Sequence, residues 1–357
     1  MKLYIKFLTS EFLKSFFYVF LIILSLILVL NVLNEIEFFR DKEVKSLLPI
    51  YMSILNAPDL IFEMFPFIFL LSTQVFFINL FNNNQIHIFK YSGLKNLKIL
   101  SIISVLTFFI GIMIIIFFYN FSSTLKGYYL ELKSRYSADD RYLAVVTKNG
   151  LWIKDIVDEQ ILIINASEIK DDFIVNVFIS VFDEDYKLIK NLKSKKVNIV
   201  NKNWVLNDVI IFEDYESKIF DQIILKSNFD SKIVRSLYSN LSSLSIFRLI
   251  ELRKNYKKLN YSTTEIDIQL YKIFTYPLYM VLITILSASI MFNTKKFKSS
   301  TFKITLGLFL SVVIYYLNNF FNVMGSTEKL TVLISIWTPL ILIAFSNLIM
   351  TFKINEK

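Results

Sequence analysis

Six long apolar runs separated by polar links dominate the pattern of this chain. They cover Ser15–Leu33, Met64–Phe81, Ile99–Leu125, Ile273–Thr294, Ile304–Thr327 and Leu330–Phe352, and none contains an acidic or basic residue. Each matches the ~20 residues with which an α-helix crosses roughly 30 Å of hydrocarbon. One such run fits a buried core helix, but six in 357 residues do not fit inside a water-soluble fold. The pattern therefore predicts six membrane-spanning helices, three before and three after a long polar segment. It divides the chain into a first membrane half over residues 1–125, an inserted domain with a linker helix over 126–262, and a second membrane half over 263–357. Ahead of the first run, Leu3, Phe7, Leu8 and Phe12 share one helical face, which predicts an interfacial lead-in. No small-x-small cleavage pattern follows at Asn31–Asn34, so the first run reads as a retained helix and not as a secretion signal.

The inserted segment carries a different period. Phe173–Val181 is rich in β-branched residues and ends at the acidic turn Asp183-Glu184-Asp185. Val197–Val200 and Trp204–Phe212 flank the polar turn Asn201-Lys202-Asn203, and Leu151–Lys154 and Gln160–Asn165 add two more strands. Short strands at this spacing predict an antiparallel sandwich or jelly roll over Leu143–Phe229. A stripe at Ile246, Leu249, Ile250 and Tyr256 predicts a helix leading into the fourth span. The expected fold is thus an α-helical membrane protein of six spans with an inserted all-β, jelly-roll-like domain.

Charge then sets orientation. The formal net charge is +9, yet residues 126–258 hold 22 Lys/Arg against 19 Asp/Glu, so nothing in the insert suggests a nucleic-acid surface. One set of short loops and termini carries twelve lysines: Lys2, Lys6, Lys14, Lys90, Lys95, Lys98, Lys295, Lys296, Lys298, Lys303, Lys353 and Lys357. The opposite short loops carry Arg40, Lys42, Lys45 and Lys329, the first three offset by Glu35, Glu37, Asp41 and Glu43. The positive-inside bias places both termini in the cytoplasm and the insert outside, which in a Gram-negative cell is the periplasm.

Candidate chemistry is sparse. The chain has no Cys and a single His, His87, which leaves little basis for zinc chemistry or His-dependent hydrolysis. Its six glycines are isolated and none precedes a Lys, so there is no phosphate-cradling loop for ATP hydrolysis. No pair of them makes GxxxG, so close helix contacts are expected at small residues such as Ser287, Ala288 and Ser289. Neither catalytic nor metal-ligating residues are expected. Glu63, with Asp59 one turn before it, lies near the outer end of the second span and reads as an interfacial acid more simply than as a proton relay. Arg40, Lys42 and Lys45 can pair with anionic headgroups or sit in a self-neutralising loop. The loop Asn82–Lys98 contains an amphipathic segment, Gln85–Tyr91, closed by Ser92 and Gly93. The residues alone leave open whether it is a docking helix or a solvated connector.

Several local motifs then occur in order along this plan. They are Pro58 and Pro66 around Asp59–Phe65, then Gln85–Gly93 ending Tyr91-Ser92-Gly93, Gly150-Leu151-Trp152-Ile153-Lys154-Asp155, and Gln269–Pro277 with Tyr276-Pro277. Over its whole length the chain resembles the lipopolysaccharide export permeases LptF/LptG, in a form closer to LptG. The resemblance implies two homologous permeases, the second LptF-like. They would border a cavity with their first and fifth helices, above a cytoplasmic LptB-like ATPase dimer that consumes the ATP; no cofactor binds this chain directly. Lipopolysaccharide would leave the outer leaflet of the inner membrane through the jelly rolls to a single-span, LptC-like periplasmic bridge. It further implies that residues 84–95 form the cytoplasmic coupling helix, with Gln85, Ile86, His87, Phe89, Lys90, Tyr91, Ser92 and Gly93 at the ATPase. Gln85 stands where the family commonly has an acid. The lipid-facing candidates are Leu24, Leu28, Phe309, Val313 and Phe320 for acyl chains, with Asn31, Arg40 and Lys42 nearest the expected phosphate contacts. The alternative is a membrane-anchored periplasmic scaffold or receptor without transport activity. An intramembrane hydrolase lacks any paired-Asp or Ser/His constellation.

Overall fold

The structure, a computed structural model, describes residues 3–40, 42, 44–136, 151–170, 172–213, 216–231, 234, 240–258, 262–293 and 299–355. Residues 143–150 of the predicted sandwich, with Gly150 of the motif, lie outside these, as do Lys2, Asp41, Glu43, Thr294, Lys295, Lys296, Lys298 and Lys357. The described residues form two compact units. One comprises Met1–Leu132, Leu241–Leu249 and Thr263–Lys357; the other comprises Lys133–Asn240 and Ile250–Ser262.

Six helices long and apolar enough to span a membrane make up the first unit. They are α1 (Leu3–Phe38), α2 (Leu48–Asn82), α4 (Asn96–Met113) continued through a π-helical turn Ile114–Tyr119 into α5 (Asn120–Ser134), α7 (Thr264–Asn293), α8 (Ser300–Ser326) and α9 (Val332–Asn355). The short α3 (Gln85–Tyr91) lies between α2 and α4, and α6 (Ile246–Lys258) occupies the place of the predicted linker helix. Several spans outrun their apolar stretches. α1 is one helix from Leu3, and Leu8 and Phe12 are fully buried, with Phe12 packed on Phe69 and Phe76 of α2 at ring separations of 6.4 and 5.7 Å. The lead-in is continuous with the first span, and the part of its apolar face at Leu8 and Phe12 packs into the bundle, while Leu3 is exposed. α2 starts far before Met64, since its polar residues Asn56 and Asp59 are partnered inside the bundle by Lys126 of α5.

α2 and α7 carry the bundle core, and both contain prolines: Pro58 and Pro66 in α2, Pro277 in α7. A proline inside a helix removes one backbone donor and frees the carbonyl four residues earlier. For Pro66 that carbonyl is Phe62, and it accepts a hydrogen bond from the Tyr276 hydroxyl at 2.5 Å, the ring of Tyr276 stacking on Phe62 at 4.7 Å. A neighbouring helix thereby satisfies the polar group that proline exposes in the membrane. Small residues set the closest approaches, as expected. Ser287, Ala288 and Ser289 are fully buried, and the Ser287 hydroxyl donates to Leu70 O at 2.7 Å. Isolated glycines act likewise. A Cβ on Gly111 would come within 2.9 Å of Pro277 Cα, and one on Gly307 would collide with the Gln74 amide, which donates to Lys303 O at 2.8 Å.

The second unit holds one antiparallel seven-stranded sheet, with β1 (Leu151–Val157), β2 (Gln160–Ala166), β3 (Glu168–Lys170), β4 (Phe173–Phe182), β5 (Leu188–Asn198), β6 (Asn203–Glu213) and β7 (Glu216–Lys226). Their order is β1-β2-β4-β5-β6-β7, β3 pairing with β4. The expected sheet insert is present. The described strands run as a meander, with no jelly-roll crossover among them. Asp158 and Glu159, both at positive φ, form the two-residue turn that closes the β1–β2 hairpin. Buried Asp155 on β1 accepts from Ser227 Oγ at 2.7 Å, Asn228 N at 2.9 Å and Asn228 Nδ2 at 2.8 Å. The chain leaving the last strand is thereby tied back to the first, so the sheet curls around its core. Trp204, fully buried in that core, donates its indole N–H to Phe229 O at 2.8 Å.

Candidate functional site

The amphipathic segment Gln85–Tyr91 is a helix pinned on one side and open on the other. α3 ends in a paired capping pattern: Gly93 N donates to Lys90 O at 3.0 Å and Leu94 N to Phe89 O at 2.9 Å, with Gly93 at φ +79°. A left-handed glycine just past the helix end is what this closure requires. Ile86 is buried, and Phe89 is half-buried against Phe7 of α1 with ring centroids 6.0 Å apart. The opposite stripe carries Ile88 and Tyr91, the latter 91% exposed. His87, Lys90, Ser92 and Gly93 are exposed and Gln85 is intermediate. Ile86 and Phe89 thus anchor α3 to the bundle, while Ile88, an apolar side chain outside the sequence-derived set, faces outward beside Tyr91. The signal for it was the three-residue spacing of Ile88 and Tyr91 on the side away from Ile86.

The lipid-facing candidates divide by helix. Phe309, Val313 and Phe320 all lie on the exposed face of α8. Leu24 and Leu28 are half-buried against the core, and the fully outward stripe of α1 runs through Tyr18, Leu21, Leu26, Val29 and Leu33. Arg40 is exposed just beyond α1, and Lys42 places Nζ 3.5 Å from the Phe38 ring centroid. Asn31 is buried: its Nδ2 donates to Ser53 O at 3.0 Å and its Oδ1 accepts from Asn56 Nδ2 at 3.2 Å.

Asn31 therefore opens a polar chain through the bundle. Lys126 of α5 donates to Asn56 Oδ1 at 2.6 Å and pairs with Asp59 at 3.1 Å, its Nζ also lying 5.1 Å from the Tyr129 ring centroid. Tyr129 in turn donates to Glu35 Oε1 at 2.7 Å. This network ties α1, α2 and α5 together at one end of the bundle. Sequence reasoning missed it because Lys126 sits 67 residues from Asp59 and was counted with the insert.

Two of the quoted motifs also converge, since Tyr276 bonds the carbonyl that Pro66 leaves free. A sequence profile of the family described as lipopolysaccharide export system permease LptF/LptG matches residues 6–353. The chain belongs to that family. As an LptF/LptG-family protein it is a component of lipopolysaccharide export, part of a transporter and not a catalytic enzyme, and its six apolar helices fit a multi-pass inner-membrane protein. No curated protein matches the chain. In this LptF/LptG-family chain the profile spans both membrane halves and the sheet insert together.

Proposed function

We propose that this chain is one of two permease subunits, the LptG-like one, that extract lipopolysaccharide from the outer leaflet of the inner membrane. Its partners on this reading are an LptF-like permease, a cytoplasmic ATPase dimer that consumes the ATP, and a single-span periplasmic bridge that receives the lipid. The termini are cytoplasmic and the sheet insert is periplasmic, following the lysine bias of the short loops.

One observation carries the reading. α8 and α1 are the least buried of the spans. Both present long apolar stripes outward, as expected of helices bordering a cavity completed by a second subunit. Phe309, Val313 and Phe320 are the acyl-chain contacts on α8, with Leu24 and Leu28 on the flank of the α1 stripe. Arg40 and Lys42 beyond α1 are the phosphate contacts, whereas buried Asn31 contributes by holding α1 against α2. Force enters through α3, whose exposed Ile88, Tyr91 and Lys90 face the ATPase. The test is co-purification of the tagged chain with a second six-helix permease and a soluble ATPase whose activity responds to lipopolysaccharide. An intact complex with unchanged activity after deletion of Gln85–Gly93 would refute the coupling role.

A further inference from the structure

A second candidate site lies inside the bundle, away from the outward faces of α1 and α8. A cavity of about 570 Å³ opens between α2, α7, α8 and α9, within the ~300–1,000 Å³ of small-molecule pockets. Its walls are graded. Glu63, Asp59, Lys272, Gln269 and Asn322 lie on the side of the cavity toward the starts of α2, α7 and α9 and the end of α8. Leu70, Ile283 and Leu340 lie deeper along the same helices. From Asp59 to Leu70 the helix rises roughly 16 Å at ~1.5 Å per residue. The charged groups therefore gather toward the mouth, and the floor is mostly apolar, with Ser311 the polar residue that reaches it.

α8 is built for both surfaces at once. Ser311, Tyr315, Asn318 and Asn322 line the cavity and share one helical stripe. Phe309, Val313 and Phe320 fall about 180° from that stripe at ~100° per residue. An amide- and hydroxyl-rich stripe inside a membrane helix requires polar partners, because hydrocarbon supplies none.

The charges select the occupant. Asp59 is already paired with Lys126 at 3.1 Å. Glu63 and Lys272 face the same cavity and interact electrostatically, yet among the described residues neither makes a contact ion pair or hydrogen bond. Together the four groups carry no net formal charge, and two of them, Glu63 and Lys272, line the cavity without being joined to each other. A ligand bearing both an anionic and a cationic group can serve Lys272 and Glu63 together without adding net charge to a partly buried site, whereas a purely anionic headgroup serves Lys272 and leaves Glu63 without a cation. We propose that this cavity is a resident site for one zwitterionic phospholipid, its phosphate at Lys272, its ammonium at Glu63 and an acyl chain on the apolar floor. The site is separate from the proposed substrate path and does not depend on it.

Native mass spectrometry of the full-length, delipidated protein tests this, with phosphatidylethanolamine, phosphatidylcholine and phosphatidylglycerol of matched chains and soluble phosphoethanolamine as competitor. The expected result is one bound zwitterionic lipid, held about tenfold more tightly than phosphatidylglycerol. Glu63→Gln should abolish that preference, and Lys272→Gln should weaken all three lipids. The double exchange Glu63→Lys with Lys272→Glu should restore the preference, which a folding defect would not do. Equal affinity for zwitterionic and anionic lipids, an unchanged preference in both single variants, or displacement by phosphoethanolamine alone would overturn the proposal. So would competition by lipopolysaccharide that requires Glu63 and Lys272.

Discussion

At the scale of single residues, two contacts decide how polar groups survive inside the bundle. Tyr276 donates to the Phe62 carbonyl that Pro66 leaves without a helical partner. Tyr276→Phe keeps the stacked ring and removes only the donor. We expect a loss of ~0.6 kcal/mol, the mean for interhelical hydrogen bonds in a membrane protein, and no more than about 1.7 kcal/mol, read as a lower unfolding midpoint of the purified protein. A midpoint identical to the parent's would mean that the carbonyl is satisfied some other way. Lys126 presents the opposite balance. It is half-buried, pairs with buried Asp59 and also donates to Asn56, so Lys126→Met strands a carboxylate and should destabilise by ~3–5 kcal/mol. Adding Asp59→Asn removes the stranded charge and should recover most of that loss in the same unfolding assay. Failure of the second change to recover stability would show that Lys126 acts through Asn56 or Tyr129 and not through the ion pair.

At the scale of elements, α3 separates a buried face from an exposed one along a helix of only seven residues. Ile86→Ala should open a cavity under the helix and lower the stability of the permease by ~2–5 kcal/mol. Ile88→Ala and Tyr91→Ala remove exposed groups, so they should leave stability within about 0.5 kcal/mol while reducing co-purification of the ATPase. Unchanged ATPase recovery with both outward variants would place the contact elsewhere. Much of this element was legible in the sequence: the amphipathic period and Gly93 gave its position and its end. What the sequence did not expose was depth. Lys126 sits beyond the third apolar run, and nothing local announces that it folds back onto Asp59. α2 begins before its apolar run for the same reason, because polar residues partnered across helices look in sequence like the end of a span; at α1 the charged pair ahead of the run, Glu11 and Lys14, is joined within the helix itself. The sheet was legible where alternation was strong, in β4 and β6. β7 was missed because its side chains are mostly exposed and carry little periodicity.

At the scale of the whole molecule, six helices of similar hydropathy play unequal parts, and burial distinguishes them. α2 and α7 form the interior, while α1 and α8 leave most of their surface uncovered. Uncovered apolar surface faces either lipid at large or a specific neighbour, and exposure alone does not separate the two. Phe309 on α8 and Phe109 on α4 are almost equally open, at 64% and 61%. A photoreactive residue at either site therefore meets bulk lipid to the same extent. If the outward face of α8 borders the path of lipopolysaccharide, crosslinks to lipopolysaccharide should concentrate at Phe309, Val313 and Phe320 and rise when ATP hydrolysis is blocked. Phe109 should label weakly and without regard to nucleotide. Equal labelling at Phe109 and Phe309 would make the α8 stripe an ordinary lipid-facing surface and send the search for the substrate path to another face of the bundle.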